Sequence, residues 1–255
     1  MYRITLILFV YLTFISASLL HAQRATYLGL EGGAVTALSG MKDEGGLIDH
    51  PRLSDRLSFY TGIQLMTPMG QKYMIQLTYA GIYKNAGYDF KTRRETSIIA
   101  GVNVVDSRDV GIRLMRKIKI NDRFTLLPLA GIRLQFTGPS RSSGDWTDEQ
   151  EIPRPTPSGN TDTMTVQRNR KNYDGNFNVA VELGVQLNYT LFSERFLLYT
   201  RFQMLQGLFL ADQQKVRYTS QELGETNTAS LNYRGSGLFL DFGVAYRIFT
   251  WGKDE

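Results

Sequence analysis

From about residue 27 onward, apolar side chains recur at every second position, the spacing that sends successive residues to opposite faces of a strand. Segment 175–189, GNFNVAVELGVQLNY, puts Phe177, Val179, Val181, Leu183, Val185, Leu187 and Tyr189 on one face. Asn178, Ala180, Glu182, Gly184, Gln186 and Asn188 fall on the other. Segment 237–249, GLFLDFGVAYRIF, repeats the device, with Leu238, Leu240, Phe242, Val244, Tyr246 and Ile248 opposite Asp241, Gly243, Ala245 and Arg247. The same alternation runs through 27–35, 55–66, 72–83, 109–120, 123–136 and, less cleanly, 195–210, which makes eight strands. Segment 96–105, TSIIAGVNVV, either extends the fourth strand or forms an additional pair, which would raise the count to ten.

The connections alternate in length. Residues 67–71, 121–122 and 191–194 are tight turns with Pro68, Gly70 or an Asn-Asp pair, all turn formers. Residues 36–54, 84–107, 137–174 and 211–236 are long and rich in Gly, Ser, Asn, Asp and charge. Short turns at one rim and long loops at the other, joined by strands of roughly the 9–11 residues that cross a bilayer at a tilt, predict an all-β, transmembrane, antiparallel up-and-down β-barrel. An even strand number returns both termini to the short-turn rim. A soluble lipocalin-type barrel shares the period but turns its apolar face inward; the asymmetry of the connections argues against it.

The N-terminus carries Arg3 and then an apolar run over Ile4–Leu20, the layout of a secretory signal peptide with cleavage after Ala22. The chain then divides into a signal peptide, 1–22, and a barrel domain, 23–255; a retained anchor is the competing reading. The average of 42% hydrophobic and 21% charged residues resembles a soluble protein, but strands that alternate apolar and polar faces give the same average. Fourteen Tyr and fourteen Phe suit strands and interfacial girdles, to which Tyr73, Tyr79, Tyr83, Tyr189 and Tyr246 are assigned. With no Cys there is no disulfide framework, thiolate metal site or cysteine nucleophile. The net charge of +5 is scattered over both signs and forms no stripe for nucleic acid.

The inward faces collect Glu31, Arg113, Arg133, Glu182, Arg201, Asp241 and Arg247, with Gln64, Gln76 and Gln186 among them. Side chains fill an eight-stranded barrel, and opposite charges confined there pair, so the expectation is a plugged lumen. Ten strands would leave room for a narrow channel. No catalytic residue, metal or cofactor is expected. The enzymatic alternative uses His50, the one His outside the signal peptide, with Asp106 and Ser107, a group similar to that of the outer-membrane palmitoyltransferase. Arg93 and Arg94, with Arg108, make the second loop basic and suited to phosphate, and Trp146 is a candidate partner contact in the third loop.

The last strand, Asp241-Phe242-Gly243-Val244-Ala245-Tyr246-Arg247-Ile248, resembles the assembly signal of outer-membrane proteins, carried here by Asp241, Gly243, Tyr246 and Ile248. It departs from that pattern in the tail Thr250–Glu255. The whole layout resembles the Bacteroidota-type outer-membrane beta-barrel family of small OmpA-like, OmpX-like and PorT-like barrels. The resemblance implies folding by the barrel-assembly machinery and an outer-membrane location, in contact with outer-membrane lipid and lipopolysaccharide, and the even strand number puts both termini at the periplasmic rim. The family is held together by architecture more than chemistry; it is the long loops on a rigid scaffold that point to a non-enzymatic role in binding, adhesion or assembly with another envelope protein.

Overall fold

The computed structural model describes residues 24–46, 48–49, 57–90, 98–137, 144–152, 162–172, 177–192, 195–220 and 224–251. Eight strands form the barrel: β1 Arg24–Asp43, β2 Leu57–Met69, β3 Tyr73–Phe90, β4 Ile98–Arg116, β5 Phe124–Thr137, β6 Phe177–Leu191, β7 Phe196–Gly207 and β8 Thr226–Trp251. Each pairs antiparallel with its neighbour in the chain, and β8 closes on β1 from Arg24↔Trp251 to Asp43↔Ala229. Followed pair by pair from Tyr27 through Met66, Gln76, Arg113, Gly131, Glu182, Leu205 and Gly237, the register returns to β1 at Ala37, ten residues beyond its start. With ordinary strand spacing and rise, that stagger tilts the strands by about 40° and gives a backbone radius of about 8 Å. Such an interior holds side chains and nothing larger.

Local chemistry sets the tight turns. Gly70 takes φ 72° between β2 and β3. Asn121 Oδ1 accepts the peptide N–H of Arg123 (2.9 Å) and of Phe124 (2.8 Å), fixing the turn before β5. Phe192, after β6, adopts φ 48°, and its exposed ring meets the edge of Phe196 at 6.0 Å. Pro128, in the middle of β5, has no N–H to give, and the β4 ladder breaks opposite it, between Met115↔Leu129 and Ile118↔Leu126.

At the long-loop end the strands outrun the apolar alternation. Residues 36–43, expected in a loop, continue β1, and 84–90 and 98–107 continue the β3–β4 hairpin out to Phe90↔Ile98. The described part of the segment TSIIAGVNVV, residues 98–105, thus lengthens the fourth strand and adds no further pair, and the barrel has eight strands. The third loop contains strands Gly144–Ile152 and Asp162–Asn172, and the fourth contains Asp212–Ser220. These three attach in turn to the outer half of β8, so the barrel wall continues there as a sheet. Hydrophobic period could not announce them, because strands clear of lipid have no apolar outer face. Conversely, 208–210, expected at the end of the seventh strand, lie beyond it, β7 ending at Gly207.

Gly235, with φ 77°, marks the bend at which β8 passes from barrel to sheet. A Cβ there would lie 2.1 Å from Gln135 Oε1. Gln135 Nε2 donates to Gly235 O (3.2 Å) and Asn178 Nδ2 to Arg234 O (2.7 Å), tying β5 and β6 across the barrel mouth to the bend.

Candidate functional site

The barrel is inverted relative to a water-soluble fold. Among the described residues the outer face exposes Leu30, Phe59, Ile63, Ile132, Leu183, Phe202, Leu240 and Phe242, all half or nearly half accessible, on every side of the cylinder. A continuous apolar surface of that extent far exceeds what a soluble monomer presents to water and suits hydrocarbon. Its edges are aromatic. On the β5–β6 pair, Phe124 and Tyr189 stack at 4.9 Å near the short turns, and Phe136 and Phe177 stack at 5.6 Å toward the long loops. Twelve residues separate the two ring pairs on each strand, roughly 30 Å of height at a 40° tilt, the thickness of a bilayer core. Phe196 and Tyr246 continue the lower ring at 5.0 Å, with Tyr73 exposed beside the β2–β3 turn. Tyr79 is exposed within the apolar band, and the side chain of Tyr83 lies outside the described residues. Replacing Leu183, midway between the girdles, with Arg is expected to destabilise the folded barrel in lipid vesicles by ~2–4 kcal/mol, read from its urea midpoint; the same change in an exposed polar loop would have no such cost.

The interior is layered. Reading up β7 from the short-turn end, the inward residues are Leu197, Tyr199, Arg201, Gln203 and Leu205, all buried. Leu197 belongs to an apolar floor with Tyr27, Met66, Met74, Met115, Leu127, Leu129 and Ala245. Leu205 belongs to an apolar ceiling with Val35, Tyr60, Ala80, Ile82, Ala180 and Phe239. The charged groups lie between.

Two clusters make up the charged layer. Arg201 Nη2 lies 2.6 Å from both Glu31 Oε2 and Asp241 Oδ2, its Nε donates to Asp241 Oδ2 (2.7 Å), and its Nη1 reaches Gln76 and Gln186 (3.3 Å each). Gln64 accepts from Gln76 and so joins this cluster. Glu182 Oε1 holds the second, accepting from Arg113 Nε (2.6 Å) and Arg133 Nη2 (3.1 Å). Arg133 also sits 3.7 Å from Asp109 Oδ2 and lies over the Phe239 ring at 5.1 Å. Three guanidinium groups thus face four carboxylates, and the charge nearly cancels within the layer. Both terminal nitrogens of Arg113 and Glu31 Oε1 meet no protein partner among the described residues.

The structure therefore gathers Glu31, Arg113, Arg133, Glu182, Arg201 and Asp241 in one layer. Arg247 does not join them: it shares their face but is half-buried near the short-turn rim, where its peptide N–H donates to Arg195 O (2.9 Å). Alternation fixes its facing but not its height, and six more residues along β8 from Asp241 carry it past the floor. Asp109, Gln135 and Gln203 also belong to the interior, although the sequence does not single them out, and so does Asn178, which alternation places on the face of Glu182. Gln203 donates to Asp241 (2.9 Å) and Gln135 to Asp109 (3.2 Å). Their sequence signal is the same inward phase, without a long charged chain to draw attention.

Of the residues resembling the assembly signal, Asp241 and Gly243 face inward and Tyr246 and Ile248 outward. Asp241 is thus both a feature of that pattern and a partner of Arg201. His50, Arg93 and Arg94 lie outside the described residues, as does the side chain of Trp146, whose backbone is in strand Gly144–Ile152. Ser107 is buried and Asp106 is in β4.

No protein-family model and no curated protein matches the chain. Among solved structures it is similar to a major outer membrane protein from Thermus thermophilus, with a TM-score of 0.41 and 11% identity over 89% of this chain and 100% of that one. It is similar also to the outer membrane protein OprG from Pseudomonas aeruginosa, with a TM-score of 0.40 and 13% identity over 88% of this chain and 97% of that one. A third is the transport unit of the autotransporter AIDA-I from Escherichia coli, with a TM-score of 0.27 and 11% identity over 88% of this chain and 90% of that one.

Proposed function

We propose that this chain is a non-enzymatic outer-membrane barrel that does not conduct, and that it serves as a rigid stave set presenting its long-loop end outside the cell for binding, adhesion or assembly with another envelope protein. The observation that carries this reading is the interior itself, an ion-paired layer closed below by Met66, Met115 and Leu127 and above by Tyr60, Ile82 and Phe239. A hydrated ion entering it would have to shed water at two apolar layers before reaching charges that already have partners. The apolar belt and its aromatic edges suit the cylinder to a bilayer, and the export signal with the assembly-signal resemblance favours the outer membrane with periplasmic termini. Long connections on a rigid frame are where binding concentrates.

Envelope fractionation tests the location: the mature protein should appear in the outer-membrane fraction as a compact band that shifts on boiling. Recovery as a soluble monomer without detergent would sink it. The closed interior makes a separate prediction. In a planar bilayer the purified barrel should show no steady conductance at moderate voltage and salt; sustained single-channel steps would reject the plugged lumen while leaving the membrane location intact.

A further inference from the structure

Above the apolar belt, the outer half of β8 lies between the end of β1 and strand Asp212–Ser220. This sheet is one-sided. Val216, Tyr218, Ala229, Leu231 and Tyr233 are buried on its inner face, where Tyr218 OH donates to Asp43 Oδ1 (2.7 Å). Its outer face continues the outer wall of the barrel but is wholly polar: Lys42 from β1, Thr226, Thr228, Ser230 and Asn232 from β8, and Gln213, Lys215, Arg217 and Thr219 from the third strand.

The register places the cations together. Ser230 pairs with Lys42 on one side and Lys215 on the other, so these two stand two strand spacings apart, about 10 Å. Arg217 follows Lys215 on the same face, about 7 Å along the strand. All three are exposed, and among the described residues none forms an ion pair. The carboxylate beside them, Glu44, accepts from Thr228 Oγ1 (2.5 Å). The acidic strand Gly144–Ile152 lies two strands beyond Lys215 and bounds the patch. Hydroxyl and amide groups fill the space between the cations, some already ordered by one another, as in Gln213 Nε2 to Asn232 Oδ1 (3.0 Å) and Thr219 with Thr226 (3.0 Å). Height is equally specific. Lys42 stands four residues past Leu38, the last outward apolar residue of β1, and so about 10 Å above the edge of the hydrocarbon belt.

We infer that this face binds the phosphorylated sugar headgroup of an outer-leaflet glycolipid, with Lys42, Lys215 and Arg217 on the phosphates and the Thr, Asn and Gln side chains on the sugar hydroxyls. The inference rests on the reading that the long-loop end is the outer one. Cations at headgroup height, with no ion pair among the described residues, meet phosphate, and a flat array of hydroxyls and amides offers both donors and acceptors to a sugar. It adds a phosphate contact on a sheet rooted in the barrel wall to the one that the sequence suggests at Arg93 and Arg94, which lie outside the described residues.

The purified barrel in neutral detergent should bind phosphorylated lipopolysaccharide at least tenfold more tightly than the same material after phosphatase treatment. The preference should weaken as salt rises. The Lys42→Gln/Lys215→Gln/Arg217→Gln variant, whose compact unboiled band should be unchanged, should bind both forms alike. The assignment is overturned if the variant keeps the native affinity, if phosphate removal has no effect, or if phosphatidylglycerol in the same detergent competes as well as the glycolipid. Orientation is read independently. Because the chain has no Cys, Glu225→Cys supplies a single thiol beside the sheet. Labelling of intact cells by an impermeant maleimide supports the outward direction; labelling only after lysis would overturn that direction and leave the detergent result standing on its own.

Discussion

Replacing Arg201 with Met is expected to destabilise the barrel by about 3–5 kcal/mol, measured as the fall in the urea midpoint of folding in lipid vesicles or in the temperature at which the compact band is lost. The size of the effect follows from what remains. Glu31 and Asp241 both lean on Arg201 Nη2 at 2.6 Å, and both are buried. Without the guanidinium they face each other in a closed interior with no other cation as near. Arg201→Lys keeps the charge but cannot serve two carboxylates and two glutamines from one planar fork, so it should fall between the two. The triple replacement Arg201→Met/Glu31→Leu/Asp241→Leu should recover most of the loss, because removing a whole buried cluster is far less costly than orphaning part of it. An Arg201→Met barrel as stable as the parent would mean that the layer is solvated and that the lumen is not sealed.

That cluster also shows how far the sequence can be read. Alternation alone assigns Glu31, Arg201 and Asp241 to inward phases, and closure of eight strands leaves them nowhere to go but toward one another. What alternation cannot supply is stagger. The ten-residue displacement around the barrel sets which inward positions share a height, and it arises from pairing between strands that no single strand encodes. Asp109 and Gln135 enter the interior network for that reason, whereas Arg247 falls outside the layer simply because it lies six residues further along the strand that carries Asp241. The outer sheet is illegible for a different cause. Residues 212–220, QQKVRYTS after Asp212, alternate polar with mixed residues, and in the absence of lipid on one side the pattern carries no contrast. Their strand character comes from the β8 backbone edge that they pair with.

The proposed sealing and presentation both rest on one register. The stagger that brings Arg201 level with Glu31 and Asp241 also makes β1 and β8 the tallest staves on their side, and the outer sheet grows from that seam. In the proposed function, a barrel held together by a charged layer in its middle supports a one-sided sheet at its mouth and conducts no ions. Gln135 and Asn178, bonded to the Gly235 bend, join the one to the other.

The seam is also where the second large effect is expected. Gly243 faces inward on β8, and a Cβ added there would lie 2.0 Å from Tyr199 Oη, 2.2 Å from Tyr199 Cζ and 2.6 Å from the carbonyl oxygen of Leu30 on β1. The tyrosine ring occupies the glycine's empty side, and its hydroxyl is oriented by Glu31 Oε2 at 3.4 Å. Gly243→Ala must push the ring aside and open the closing pair of strands, an overpacking cost of about 1–3 kcal/mol. Gly243 also belongs to the stretch that resembles an assembly signal, so the two roles need separating. Packing predicts a defect in purified protein refolded in vesicles, where no assembly machinery is present, and partial rescue by Tyr199→Leu, with a coupling of about 1–2 kcal/mol in the double-mutant cycle. Leu30 O remains in the way, so the rescue should stop short of the parent. A Gly243→Ala protein that refolds normally in vitro but fails to reach the outer membrane in cells, with no help from Tyr199→Leu, would assign the glycine to recognition and remove it from the packing of the seam.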